Sequence, residues 1–526
     1  MRRPNFLLFI TDQHRADHLG CAGHPLLRTP HIDQLAERGC RFTDFHVATP
    51  ICQPNRASLM TGRLPSAHGL QLNGRELSLG ETTFVQRLRE AGYQTALVGK
   101  LHLQNITSVP TFWPQPEHRL SHEARQIFPG RYGQEVAKSW DEDADFELSL
   151  PYYGFDRVVL TIGHADEQSG HWRRWLRAQS PEAEGLIGPH NALPTPGWQL
   201  PALRQAWRTR LPEAWHPTQY IAQQTCEVLE ESVQCEQPFF IQCSFPDPHH
   251  PFTPPGRYWD LYRPEDVALP DSFHAPLTNP PWPVTWLRQQ LAQRAAGFKP
   301  GHGSFAGTER EVREALALNF GNLAFIDHAV GQVMDKLTAL GLAQDTVVVF
   351  TSDHGDLLGD RGLMFKGGLH YNALTRVPFI WCEPMAASGV RESAQLAQTI
   401  DIATTVLDRA GLPPTHGMQG LSLLPALQGQ ALSGREALLI EEEGQRLDFG
   451  LSQRIRMRSW RTPAHRLTVY DGQTWGELYD LRADPQELHN LWHEPASQGL
   501  RAQLMEQLAY GMLKFGNTSP YPSASA

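Results

Sequence analysis

Four short stretches of this 526-residue chain place metal-binding or anion-binding side chains directly after apolar runs. Asp12 and Gln13 follow residues 6–10, and Lys100 and His102 follow 95–98. Asp247, His249 and His250 follow 239–245, and Asp353 and His354 follow 346–351. Each run suits a strand buried on both faces, so each polar set is expected at a strand's carboxyl end. Ligands of open α/β sheets bind there, and the four sets are expected to meet in one crevice. One such ending alone reads as a solvated loop, but four of complementary chemistry are hard to read that way. Asp12, Gln13, Asp353 and His354 offer two carboxylates, an amide oxygen and an imidazole. That set suits Ca²⁺ or Mg²⁺, and the imidazole admits Mn²⁺. No Cys-x-x-Cys pair or HExxH helix gives the usual zinc spacing. Lys100 and Lys366, the latter in FKGGLH, are cationic donors suited to a tetrahedral oxyanion.

The stretch from Thr49 to Arg63 carries a further reactive group. Pro54 fits a first helical turn and Gly62 the end of a short helix. Cys52 then lies at the positive end of a helix dipole, where anions bind. Its thiol reads either as a nucleophile or as a buried structural cysteine, and no Cys-His-Asn arrangement declares itself.

Cys52-Gln53-Pro54-Asn55-Arg56, continuing through Ala57-Ser58-Leu59-Met60-Thr61-Gly62-Arg63, resembles the Cys-x-Pro-x-Arg signature of type I sulfatases in the alkaline-phosphatase superfamily. The resemblance takes in Asp12, Gly99-Lys100-Leu101-His102, Pro248-His249-His250-Pro251 and Ser352-Asp353-His354-Gly355. It ends at Glu477-Leu478-Tyr479-Asp480-Leu481 and Asp484-Pro485, so it spans nearly the whole chain. It implies oxidation of Cys52 to formylglycine by a formylglycine-generating enzyme, and one divalent ion, Ca²⁺ before Mn²⁺ or Mg²⁺. It also implies hydrolysis of small-molecule or saccharide sulfate esters through a covalent sulfated intermediate. Two positions depart from the commonest sulfatase pattern: Gln13 stands for a second Asp, and His354 for Asn. Both are similar to phosphonate monoester and phosphodiester hydrolases, which gives the alternative activity. Lys100 and His102 are similar to the sulfate-binding pair of sulfatases.

Within that resemblance the roles follow. Hydrated formylglycine at Cys52 carries two hydroxyls, one to attack sulfur and one to expel sulfate. Asp353 is the candidate base and metal ligand, His249 (before His250) the proton donor to the leaving oxygen, and His102 the base for the second hydroxyl. Lys100 and Lys366 hold the nonbridging oxygens, Arg56 balances the oxyanion beside the metal, and Asn73 contacts the anion or merely turns the chain before Gly74. A noncatalytic binder of anionic sugars is the reading of another class, and it has no use for Cys52, His102 and His249 together.

These residues need elements to hold them. Besides the four strands, Thr29-Pro30 opens a helix with Thr29 as cap, and Gly39 ends it. Phe84, Val85 and Leu88 mark another helix, and Thr308-Glu309-Arg310-Glu311 opens a long one as a capping box. Alternation of strands and helices predicts an α/β fold: a large, mostly parallel sheet sandwiched by helices, alkaline-phosphatase-like. Residues 103–300 hold ten of the 14 tryptophans and many prolines, and read as loops and short helices over one end of the sheet. Trp172 and Trp175, flanking Arg173 and Arg174, either pack this insert or line a pocket for an aryl or sugar group. Runs at 454–459, 466–470 and 477–481 around Asp471-Gly472 predict a small antiparallel sheet, and Leu500, Leu504 and Leu508 a closing helix. The expected division is a catalytic domain over 1–425 and a C-terminal α+β unit over 426–526.

Composition sets the outer bounds. Forty-six Lys+Arg against 56 Asp+Glu give −10, which argues against a nucleic-acid partner. Seven cysteines make no disulfide scaffold in a chain of this length. No run reaches the roughly 18 apolar residues of a membrane span, and no signal peptide is visible, so a cytoplasmic location is expected. A homo-oligomer is compatible with the sequence.

Overall fold

A computed structural model of the chain describes residues 3–109, 125–295, 297–301, 303–384 and 390–524. Its centre is a nine-stranded sheet. The four expected strands are β1 (Asn5–Thr11), β2 (Gln94–Gly99), β3 (Phe239–Ser244) and β4 (Thr346–Ser352). They lie side by side in the order β4-β1-β3-β2, all parallel. Their apolar side chains point to both faces and are buried on both, as a sheet covered on two sides requires. One face packs on the 31-residue Glu309–Ala339 helix and on Pro217–Ser232; the other packs on Cys52–Thr61, Phe84–Glu90 and Ile400–Arg409. The capping box forms: Thr308 accepts from the Glu311 amide, and the Glu311 carboxylate accepts from the Thr308 amide.

The structure differs from the sequence reading in two places. Thr29 precedes the Pro30–Arg38 helix but does not cap it; its hydroxyl donates to Asp33 instead. The carboxylate of Asp327, from the long helix, accepts from the His31 and Ile32 amides and takes over the cap. The 103–300 region supplies more than loops, since Arg157–Ile162 extends the sheet beyond β2 and Pro217–Ser232 covers its face. Of the two readings of Trp172 and Trp175 the packing one holds: Trp172 lies in the main core with its indole N–H on the Trp215 carbonyl (3.0 Å), and Trp175 packs against that core. Trp113 lies outside the described residues.

A four-stranded antiparallel sheet, Leu438–Glu443, Arg456–Arg461, His465–Tyr470 and Gly476–Asp480, carries the Gln498–Lys514 helix. Among the described residues no helix is long and apolar enough to cross a membrane. All seven cysteines are free thiols.

Candidate active site

Strand register brings the site together. Ile10 pairs with Ser244, Ser244 with Gly99, and Thr11 with Ser352, so the residues that follow leave the sheet at one level. The backbone continues the ladder past the strands: Asp12 N donates to Asp247 O, Asp353 N to Thr11 O and Lys100 N to Ser244 O, at 3.0–3.1 Å. Gly99 turns the chain there at φ +106°, and a Cβ would sit 1.9 Å from the Ser244 carbonyl oxygen. Only glycine fits.

Over these strand ends stands the Cys52–Thr61 helix, buried throughout and closed by Gly62 at φ +65°. Cys52 is its first residue, as the Pro54 and Gly62 signals predict. Its sulfur lies 3.8 Å from Asp12 Oδ1, 3.1 Å from His354 Nε2 and 3.0 Å from Lys366 Nζ. Burial and Asp12 oppose the thiolate, but Lys366, His354 and Lys100 outweigh them and pull the thiol below its ordinary pKa. One turn on, Arg56 is buried with Nε on Asp353 Oδ2 (2.7 Å) and Nη2 3.7 Å from Asp12 Oδ2. Its Nη1 donates to the Lys100 carbonyl and the Ser244 hydroxyl, both at 3.0 Å. One guanidinium thereby ties three strand ends together.

Asp12, Cys52, Asp353 and His354 present ligand atoms all within 4.8 Å of one another. His354 donates from Nδ1 to the Gly355 carbonyl (2.8 Å), which turns Nε2 toward the cluster, the arrangement that orients metal-ligating histidines. Burial and Lys366 disfavour a charged imidazole, yet Asp353, Cys52 and Asp12 raise His354 to about 10. The cluster therefore draws positive charge, and its donors fit one divalent cation. The Gln13 side chain uses its amide otherwise: Oε1 accepts from Lys366 (3.0 Å), and the nitrogen contacts Asp356 and His250. Its backbone N–H donates to Asp353 Oδ1 (3.1 Å). Asp12, His164 and His249 form a second close set, but there the Lys100 ammonium already donates to Asp12 and His164.

A cavity of about 300 Å³ opens onto the cluster, lined among others by Cys52, Asn73, His102, His164, His249 and Lys366. Asn73 accepts from the Gln53 amide (3.2 Å) at the cavity edge, so it both turns the chain and faces the site. His102 sits at φ +60°, its amide held by Glu135 (2.7 Å) and its buried Nδ1 without a hydrogen-bond partner among the described residues. Burial, Lys100 and Arg56 keep its imidazole neutral, well below the ordinary pKa. Burial, His164 and Lys366 do the same to His249, whose Nε2 lies 2.9 Å from Lys366 Nζ. All the strand-end residues named from the sequence thus gather at one end of the sheet, together with Cys52, Arg56, Asn73 and Lys366. His164 is the site residue that the sequence reading missed.

Comparison with known proteins identifies the family. The sulfatase family model matches residues 4–412, and an N-sulphoglucosamine sulphohydrolase C-terminal model matches 359–512. The choline-sulfatase of Rhizobium meliloti is 27% identical over 94% of this chain and 83% of its own length. The arylsulfatase of Clostridium perfringens is 25% identical over 93% of this chain and 90% of its own. The crystal structure of the phosphonate monoester hydrolase of Agrobacterium radiobacter superposes with a TM-score of 0.74 at 25% identity, covering 98% of this chain and 96% of that one. The chain belongs to the sulfatase family of the alkaline-phosphatase superfamily and is a sulfuric ester hydrolase.

Proposed function

We propose that hydrolysis proceeds through a formylglycine made from Cys52, with one divalent ion, Ca²⁺ first, held by Asp12, Asp353 and His354. One observation carries this reading: the Cys52 sulfur stands within 4 Å of Asp12, His354 and Lys366 at the start of a buried helix. When present, the aldehyde and the ion together supply an oxygen nucleophile that works at neutral pH.

The chain's own residues do the rest. Lys100 and Lys366 bind the nonbridging oxygens from two sides, and Asn73 borders the anion. Arg56 holds the Asp353 carboxylate in place through Nε. The negative charge of the bound ester would favour protonation of His249 at Nε2, the nitrogen that here accepts from Lys366, and that proton would go to the leaving oxygen. His250 is the lesser donor because His249, rather than His250, is among the residues lining the cavity. Neutral His102 is suited to take a proton when sulfate is expelled. Formation of the aldehyde implies a formylglycine-generating partner in the cell. The named relatives act on choline and aryl sulfates, so the shared chemistry is the sulfate ester rather than one organic group.

A second reading, a phosphonate monoester hydrolase or phosphodiesterase using the same residues, is supported by Gln13, His354 and the likeness to the Agrobacterium radiobacter enzyme.

Cys52→Ala and Cys52→Ser should each lower kcat on the order of 10³-fold or more, without changing the melting temperature. Peptide mass spectrometry of active protein should find the aldehyde at Cys52. Full activity with an intact thiol would overturn the proposal.

A further inference from the structure

His164 lies just beyond the Arg157–Ile162 strand, on the cavity wall, and two of its contacts are unlike in kind. Its Nε2 is 2.8 Å from Lys100 Nζ. An ammonium can only donate, so this nitrogen is the acceptor. The ring lies flat on His249, with centroids 3.7 Å apart and planes 13° apart. His249 lies in turn on His250 (4.2 Å, 24°), and His250 on Phe365 (3.5 Å, 6°), the residue before Lys366. A four-ring stack therefore runs from the sheet's far strand to the Lys366 loop, with His249 held on both faces.

We propose that His164 is a positioning residue serving both halves of the reaction: its nitrogen aims the Lys100 ammonium at the anion, and its ring fixes the plane of His249. Asp12 is the other acceptor for Lys100. With Asp12 alone, a flexible lysine would settle on the carboxylate and turn away from the ester. His164 supplies a second direction, leaving the third N–H for a sulfate oxygen. His249 has its Nδ1 on the His250 carbonyl, and the ring of His164 blocks swinging of Nε2 away from the leaving oxygen. The inference rests on the site reading given under Proposed function.

Two variants separate the contacts. His164→Phe keeps a ring on His249 but offers Lys100 no acceptor, whereas His164→Gln keeps an acceptor but no ring. Both are compared with the wild type on aryl and alkyl sulfate esters, with metal content and melting temperature measured alongside. His164→Phe should raise KM by about tenfold for every ester, the worth of one charge-assisted hydrogen bond, with kcat equally sensitive to the leaving group. His164→Gln should lower kcat by roughly tenfold to a hundredfold for alkyl esters, which need the proton most, while nitrophenyl sulfate barely changes. Wild-type kinetics in both variants overturns the proposal. So does an equal loss on all esters accompanied by lost metal or lower melting temperature, the mark of a merely structural residue. Turnover by wild type with Cys52 unmodified would overturn the site reading instead, whatever the His164 variants do.

Discussion

Lys100 and Lys366 bring two ammonium groups to the anion, Lys100 sharing its charge with Asp12, while the charge of Arg56 is engaged by Asp353 and Asp12. Sulfate monoesters carry one negative charge, as do phosphonate monoesters and phosphodiesters; phosphate monoesters carry nearly two. A second metal ion is the usual answer to the extra charge, and at the second close ligand set that place is taken by the Lys100 ammonium. The balance of charge therefore suits singly charged esters. With matched nitrophenyl substrates on metal-replete protein, kcat/KM should rank sulfate first, phenylphosphonate and phosphodiester next, and phosphate monoester last. A phosphonate or diester preference above about tenfold, or ~1.4 kcal/mol in transition-state binding, would assign the second reading.

The strand endings act as one unit because glycine lets them approach. At Gly99 an added Cβ meets backbone rather than a movable side chain, and the positive φ adds strain of its own. Gly99→Ala should cost about 2–5 kcal/mol in urea unfolding, strain and overpacking together, and should cut activity because Lys100 is next in the chain. Wild-type stability in that variant would mean that β2 and β3 can separate freely. The four central strands were legible because continuous apolar runs have few other uses, and the nucleophile helix because proline and glycine mark its ends. Arg157–Ile162 escaped notice, being four fully buried residues behind two half-buried ones in a region dominated by tryptophan and proline. His164 was missed with it, although the same strand-ending rule would have found it. Leu438–Glu443 was illegible for another reason: its three glutamates read as surface, yet they are buried, with Ser66, Gly368, Arg456 and Arg458 as their partners. Sequence shows that a residue is charged but not which distant partner will bury it.

The small sheet also bears on the site. One of its apolar clusters joins Leu439, Leu467, Leu478 and Leu504 to Ala48, Leu64 and Ile400 of the larger body. Another joins Ile455, Met457, Tyr470 and Tyr479 to Leu363, Leu369, Tyr371 and Leu374, the segment around Lys366. Glu442 accepts from the Gly368 amide (2.6 Å), which ties the FKGGLH turn to the sheet. Arg466, fully buried, pairs with Glu477 (3.1 Å) and Glu487 (2.5 Å), and no part of that network can be left without its partners. Exposing a buried apolar side chain costs about 1.5–3 kcal/mol, and a whole domain is stable by only about 5–15 kcal/mol. Baring even half of the body's side of these clusters would consume that margin. The 426–526 segment is therefore expected to be indispensable to the fold as well as to the placement of Lys366. A 1–425 fragment should aggregate on expression and show no turnover of nitrophenyl sulfate, with size-exclusion chromatography and circular dichroism as the checks. A soluble, cooperatively melting fragment that still hydrolyses the ester would make the C-terminal sheet an appendage and leave the position of Lys366 to be explained by the bond from the Leu357 amide to the Phe365 carbonyl (3.0 Å) alone.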